Sequence, residues 1–158
     1  MNDEFDVIST AITPENNGSF RSVRVQSETL SRLITKFGLP YYLKVDIEGC
    51  DHEVLHELFA APYRPPFVSA EAHSIEVLIN LAVAGYRRFK VVEGRFVHWP
   101  YYRGTFYDAA GEPFTHEFPE HSSGPFGDDI PGPWLDLDEV LEYLSVHSVG
   151  WKDIHAAR

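Results

Sequence analysis

The sequence is poor in cysteine and in positive charge. Cys50 is its one cysteine in 158 residues, which excludes an internal disulfide and a zinc site built from several cysteines. The 13 lysine and arginine residues face 24 acidic residues, and the formal net charge is -11. Such a charge repels nucleic-acid phosphates and anionic membranes, so we expect no nucleic-acid partner.

Long hydrophobic runs are also missing. No apolar run approaches the roughly 18 residues that a membrane helix needs, and the first residues are acidic, unlike a signal peptide. We therefore expect no membrane partner, and the single cysteine is compatible with the reducing cytoplasm. The remaining composition is ordinary for a globular protein, and the chain contains no repeat or linker, which predicts one domain over residues 1–158.

Strands and helices alternate along most of the sequence. Period-two and period-3.6 patterns predict, in chain order, strands at 5–12 and 20–25, a helix at 27–37, a strand at 42–48, a helix ending near 60, a strand at 67–73, a helix at 74–84, a strand at 86–92 and a helix from the capping box at 136–139. Residues 151–158 carry no clear signal. This alternation favours an α/β fold with a mostly parallel sheet and flanking helices.

The predicted strand at 42–48 has one charged face. Its apolar residues point to one side, and Lys44, Asp46 and Glu48 point to the other. Unpaired buried carboxylates are costly, so this face either opens onto a cleft at the carboxyl ends of the strands or forms a structural ion-pair network with Lys44. The sequence leaves both interpretations open.

The next predicted strand brings more polar groups to the same edge. Glu71 and His73 lie near the carboxyl end of the strand at 67–73. His73 is either a functional base or a helix-start histidine bonded to backbone. The irregular, aromatic stretch at 93–134 is too long for an ordinary loop and is predicted to form a lid or substrate wall, with Phe126 in it.

These residues carry a family resemblance. Thr29-Leu30, the run Leu43 to Gly49 with its Lys-x-Asp-x-Glu-Gly pattern, Val54-Leu55, and the strand with Glu71 and His73 resemble the FkbM family of S-adenosylmethionine-dependent methyltransferases. The resemblance implies a Rossmann-like fold and transfer of a methyl group from S-adenosylmethionine. It further implies O-methylation of a hydroxyl on a small-molecule or sugar acceptor.

The resemblance also implies roles for individual residues. Asp46, Glu48 and His73 become the catalytic candidates, and Lys44, Asp46 and Gly49 the cofactor-binding candidates. Glu71 and Phe126 become candidate substrate contacts. Asp46, Glu48 and His73 together are a conceivable metal set, but similar methyltransferases act without metal and no further ligand is evident, so no metal is predicted.

The first cofactor-binding unit of the family is not recognisable in this sequence. Residues 1–12 contain no glycine-rich turn of the kind that holds the methionine and ribose parts of the cofactor. The chain is therefore expected to represent the carboxyl-terminal part of the domain. An alternative function is a non-catalytic fragment or a partner subunit of a split methyltransferase. The open sheet edge predicts a homo-oligomer or a partner chain that covers it.

Overall fold

The computed structural model describes residues 7–14, 20–47, 49–60, 62, 64–96, 103–108, 110–119 and 122–158. The predicted site residue Glu48 and the start of the strand predicted at 5–12 lie outside the described residues. The chain divides into two compact units, residues 1–38 and 39–158. The single domain predicted for residues 1–158 stays a prediction.

The described helices and strands follow one another along the chain in an order close to the predicted one. They are β1 (Val7–Pro14), β2 (Phe20–Ser27), α1 (Leu30–Phe37), β3 (Tyr42–Val45), α2 (Asp51–Ala60), β4 (Phe67–Glu71), α3 (Ile75–Val83), β5 (Arg88–Glu93), β6 (Arg103–Tyr107), β7 (Pro113–Glu117), α4 (Leu137–His147) and β8 (Lys152–Ala157). No helix among the described residues is long and apolar enough to cross a membrane.

The first unit is a β-hairpin followed by a helix. Strands β1 and β2 are antiparallel, with Val7 opposite Ser27. Helix α1 begins after Thr29, whose side chain accepts a hydrogen bond from a backbone N–H of the first turn, and ends at Gly38 with φ of 88°. The structure confirms the two strands and the helix that periodicity predicted here.

The second unit contains a four-stranded sheet in the order β3-β4-β8-β5. Strand β3 is parallel to β4, whereas β8 is antiparallel to both β4 and β5. Three of the four strands therefore run in one direction. Their carboxyl ends lie at the same end of the sheet as the amino end of β8, and this end of the sheet is called its carboxyl edge. The resulting fold is mixed α/β and is compatible with a Rossmann-like arrangement.

One face of the sheet is apolar and is covered by helices. Helix α2 contacts β3 and α3, and α3 contacts β8. Their inward side chains are fully buried, which is the main source of stability for such a layer. These buried leucines are Leu55, Leu58, Leu78 and Leu81. Helix α4 packs against β5, and its predicted capping box between Asp136 and Glu139 is confirmed.

The other face of the sheet is polar and is covered by the chain between β7 and α4. Phe126 stacks on Tyr42 with ring centroids 4.2 Å apart, and Trp134 stacks on Phe67 at 6.2 Å. Within the predicted irregular region at 93–134, β6 and β7 form an antiparallel hairpin. The proposed role of that region as a lid stays a prediction.

One strand prediction is wrong in its extent, and one strand was not predicted. The strand predicted at 42–48 ends at Val45, so Asp46 follows the strand. Ile47, predicted on the apolar face of that strand, has 46% of its surface exposed. The segment at 151–158, which gave no sequence signal, contains β8, a fully buried strand in the interior of the sheet. Its charged residues Lys152 and Asp153 are tolerated because each has an ion-pair partner, Glu93 and Lys44 respectively.

Candidate functional site

A cavity of about 180 Å³ lies at the sheet edge where β3, β4 and β5 end. Its described lining combines three carboxylates, one ammonium group, two serines, a glycine and an indole. These residues are Lys44, Asp46, Glu71, Gly94, Ser122, Ser123, Trp151 and Asp153.

Sheet topology explains why these groups meet. Asp46 follows the last residue of β3, and Glu71 is the last residue of β4. Because β8 is antiparallel, its beginning reaches the same edge, and Asp153 stands opposite Glu71 in the register. The cavity is thus built from strand ends, where α/β sheets usually bind ligands.

Lys44 has two acidic neighbours at unequal distances. Its Nζ lies 2.6 Å from Asp153 Oδ1 and 3.7 Å from Asp46 Oδ2. The Asp153 side chain is 9% exposed, whereas that of Asp46 is 46% exposed. Asp153 is therefore the close, buried partner of Lys44, and Asp46 keeps a carboxylate that is open to the cavity.

Glu71 and His73 form a second pair beside the cavity. His73 Nε2 lies 3.1 Å from Glu71 Oε2, and the backbone N–H of His73 donates to the carbonyl oxygen of Glu71 over 3.0 Å. Glu71 lines the cavity, while His73 is not among its described lining residues. A carboxylate that holds one imidazole nitrogen fixes the ring for proton transfer at the other.

A row of polar residues crosses the sheet from Lys44, which lines the cavity. Lys44, Ser69, His155 and Lys90 are paired in register on the four neighbouring strands. The Tyr42 hydroxyl and the Ser69 hydroxyl lie 2.5 Å apart, and burial raises the pKa of Tyr42. Lys90 donates to the carbonyl oxygen of Ile130, and burial lowers the pKa of Lys90.

His155 is the least satisfied member of this row. Its side chain is buried, and both ring nitrogens lack a hydrogen-bond partner among the described groups. Burial, followed by the charges of Lys44 and Lys90, lowers the pKa of His155 to about 3. The ring is therefore neutral in the folded protein at neutral pH, and protonating it favours unfolding.

We expect this histidine to make stability depend on pH. Its folded-state pKa of about 3 lies below the ordinary value of 6.5, so the unfolded chain binds the extra proton between these pH values. The free energy of unfolding should fall as pH drops from 6.5 towards 3, by up to about 1.4 kcal/mol per pH unit. Urea titrations across this range should show a shallower fall for His155→Leu than for the wild type. The exposed control His147→Leu should keep the wild-type slope, and an unchanged slope in His155→Leu would contradict the prediction.

The structure brings together some of the predicted site residues and separates others. Lys44, Asp46 and Glu71 line one cavity, and His73 joins them through Glu71. Gly49, with φ of 95°, is not among the described lining residues; its N–H donates to Asp51 Oδ2 over 3.2 Å. Phe126 lies at the opposite edge of the sheet, in another cavity.

Two residues that line the cavity were not predicted from the sequence. Asp153 and Trp151 come from the segment that carried no recognisable pattern. Trp151 is packed so closely that a Cβ atom on Gly94 would lie 2.5 Å from the indole ring, which explains a glycine at that position. Only the strand pairing of β8 reveals either contribution.

Comparison with known proteins identifies the family. The sequence model described as "Methyltransferase FkbM domain" matches residues 6–88, just over half of the chain. The chain therefore belongs to the FkbM methyltransferase family, which confirms the resemblance noted from the Lys-x-Asp-x-Glu-Gly pattern. No curated protein and no solved structure gives a significant match.

Proposed function

We propose that the protein transfers a methyl group from S-adenosylmethionine to a hydroxyl oxygen of a small molecule or sugar, at the cavity beside Asp46. The observation that supports this most is the open carboxylate of Asp46 at the carboxyl edge of the sheet, while Asp153 neutralises Lys44. Family membership supports methyl transfer in general. The choice of oxygen as acceptor rests on the carboxylates, which suit removal of a hydroxyl proton.

The charge of the cavity fits the reacting end of this donor. Asp46, Glu71 and Asp153 outnumber the single ammonium group of Lys44 among the described lining residues. An excess of carboxylates favours a sulfonium cation. The bound donor would supply an activated methyl group. No strand, glycine-rich turn and helix of the kind that holds its other half occurs among the described residues, so the fit concerns the sulfonium end.

Two groups of the chain are suited to remove the acceptor proton. Asp46 presents an exposed carboxylate, and His73 is held by Glu71 at Nε2, so Nδ1 is the proton-accepting position of its neutral ring. The serines of the cavity, Ser122 and Ser123, offer hydroxyls that orient an acceptor. Positioning and proton removal are the main demands of such a displacement.

The proposal is tested by direct detection of methyl transfer. The protein is incubated with isotopically labelled S-adenosylmethionine and a panel of sugars and small alcohols, each paired with its deoxy analogue. We expect labelled methyl ether on a hydroxyl compound and none on the deoxy partner. Transfer to an amine or a carbon acceptor in place of hydroxyls would refute O-methylation while preserving methyl transfer.

We expect the 158-residue chain by itself to bind S-adenosylmethionine weakly. The described residues offer carboxylates for the sulfonium but no glycine-rich turn for the methionine and ribose parts of the donor. Isothermal calorimetry should therefore give no micromolar affinity for this chain alone. Micromolar binding would contradict the prediction and would argue against the alternative role as a partner subunit of a split methyltransferase.

A further inference from the structure

A second cavity lies at the opposite edge of the sheet, where β3 and β4 begin. Its volume of about 360 Å³ falls within the range of roughly 300–1,000 Å³ that small-molecule sites occupy. The described lining consists of four aromatic rings, three carboxylates and one glycine. These residues are Tyr41, Phe67, Tyr107, Phe126, Gly127, Asp108, Asp128 and Asp129.

Three of the rings are steeply inclined to one another. The centroid of Tyr41 lies 5.3 Å from that of Phe67 and 6.3 Å from that of Phe126, with interplanar angles of 63° and 70°. Phe67 and Phe126 are 6.0 Å apart at 66°. Phe126 is braced by its stack on Tyr42, and Gly127, with φ of +66°, brings the backbone close to the ring of Phe67. Tyr41, Phe67 and Phe126, supported by these contacts, thus form a cluster of inclined rings that we call the aromatic corner.

The carboxylates of the lining place negative charge around this aromatic corner. None of the described lining residues is a lysine or arginine, so the lining itself carries an excess of negative charge. Two cations lie nearby: Arg88 and Lys90 are over the ring of Trp134, at 5.2 Å and 4.8 Å from its centroid, and the charge of Lys90 also interacts with Asp128 and Asp129. Trp134 in turn donates its indole N–H to Asp128 over 2.8 Å.

Aromatic faces together with carboxylates are the chemistry of cation recognition. A metal ion needs converging oxygen or nitrogen ligands, and no group of three or more such side chains among the described residues could hold one. Aromatic rings instead favour a bulky, weakly hydrated organic cation, which gains from the ring quadrupoles and from burial of its methyl groups.

We propose that this aromatic corner binds an organic cation that carries a quaternary or methylated ammonium group. The site is separate from the cavity beside Asp46, because the two lie at opposite edges of the same sheet. The proposal therefore does not depend on methyl transfer. It gives Phe126 a ligand-binding role at a site of its own.

The test compares choline with its uncharged isostere, in which a carbon atom replaces the quaternary nitrogen. Binding is followed by the chemical shifts of the ligand methyl groups and by the intrinsic tryptophan fluorescence, to which Trp134, stacked on Phe67, contributes. We expect saturable binding of choline and at least tenfold weaker binding of the isostere. Tyr41→Ala should weaken choline binding by about threefold to thirtyfold, and Tyr41→Phe should retain it.

Charge is tested by a second variant and by salt. Asp129→Asn should weaken choline binding and reduce its dependence on ionic strength. Tyr41 is 65% exposed, so its truncation should leave the fold intact, and Tyr143→Ala on α4 serves as a matched aromatic control with wild-type affinity. Asp46→Asn should also bind choline normally, which separates this test from the test of methyl transfer.

Two results would overturn the proposal. Equal binding of choline and its isostere would mean that the cavity recognises apolar shape and not charge. Absence of saturable choline binding by the wild-type protein, with both probes tested at the same concentrations, would mean that the aromatic corner is only a packing arrangement.

Discussion

Replacing Asp46 with asparagine is expected to lower methyl-transfer turnover by about 100- to 10,000-fold while leaving the fold nearly unchanged. Asparagine keeps the shape of the side chain but loses the charge that accepts a proton. The fold should survive because Lys44 keeps its closer partner Asp153 at 2.6 Å. Steady-state kinetics and urea unfolding on the same preparation of active protein measure both effects.

The control for this experiment is an exposed aspartate outside both cavities. Asp138→Asn, in the first turn of α4, should leave turnover at the wild-type level. Asp46→Asn should change the free energy of unfolding by no more than about 0.5 kcal/mol, as expected for an exposed side chain. If Asp46→Asn lowers the free energy of unfolding by much more than this, yet retains turnover while folded, the role of Asp46 is structural and not catalytic.

The opposite pattern is expected for Asp153. Changing it to asparagine removes the close partner of Lys44, whose side chain is 23% exposed, and leaves the ammonium group with the more distant and exposed carboxylate of Asp46 at 3.7 Å. Breaking a buried ion pair in this way costs about 3 kcal/mol of stability, because the remaining charge keeps its desolvation penalty. Urea unfolding of Asp153→Asn should register this loss.

A double variant distinguishes the ion pair from general damage to β8. Lys44→Met combined with Asp153→Leu removes both charges and should recover most of the stability that Asp153→Asn loses. If the double variant is as unstable as the sum of the single variants Lys44→Met and Asp153→Leu, the contribution of Asp153 is packing and not its pairing with Lys44.

Much of the fold could be predicted because its apolar residues follow simple periods. The stripe of α1 and the buried leucines of α2 and α3 recur at helical spacing, and Gly38 and the Asp136 capping box mark helix ends. Strand β8 escaped prediction for a physical reason. Its sequence, Lys-Asp-Ile-His-Ala-Ala, has the polar composition of an exposed segment. The strand is nevertheless buried, because partners that are distant in the sequence pair with its charges, such as Glu93, 3.2 Å from Lys152.

The candidate site, like the fold, could be predicted only in part. Asp46 and Glu71 were placed correctly at one edge because strand direction alone fixes where strand ends meet. Asp153 was not, because its position follows from the insertion of β8 between β4 and β5. Phe126 was predicted as a substrate contact together with Glu71, but its partners Tyr42 and Phe67 hold it in the other cavity. The positions of Asp153 and Phe126 depend on contacts between residues distant in the sequence, which hydrophobic periodicity does not detect.

The place of β8 in the sheet also affects how the protein is made. Strands β4 and β5 both hydrogen-bond to β8, which lies between them but is separated along the chain by 80 residues from the end of β4 and by 58 residues from the end of β5. While the chain emerges from the ribosome, each of these strands has an exposed edge until residues 152–157 are released. We therefore expect the second unit to fold late in synthesis, and a nascent chain stalled before residue 152 to be a substrate for chaperones and proteases.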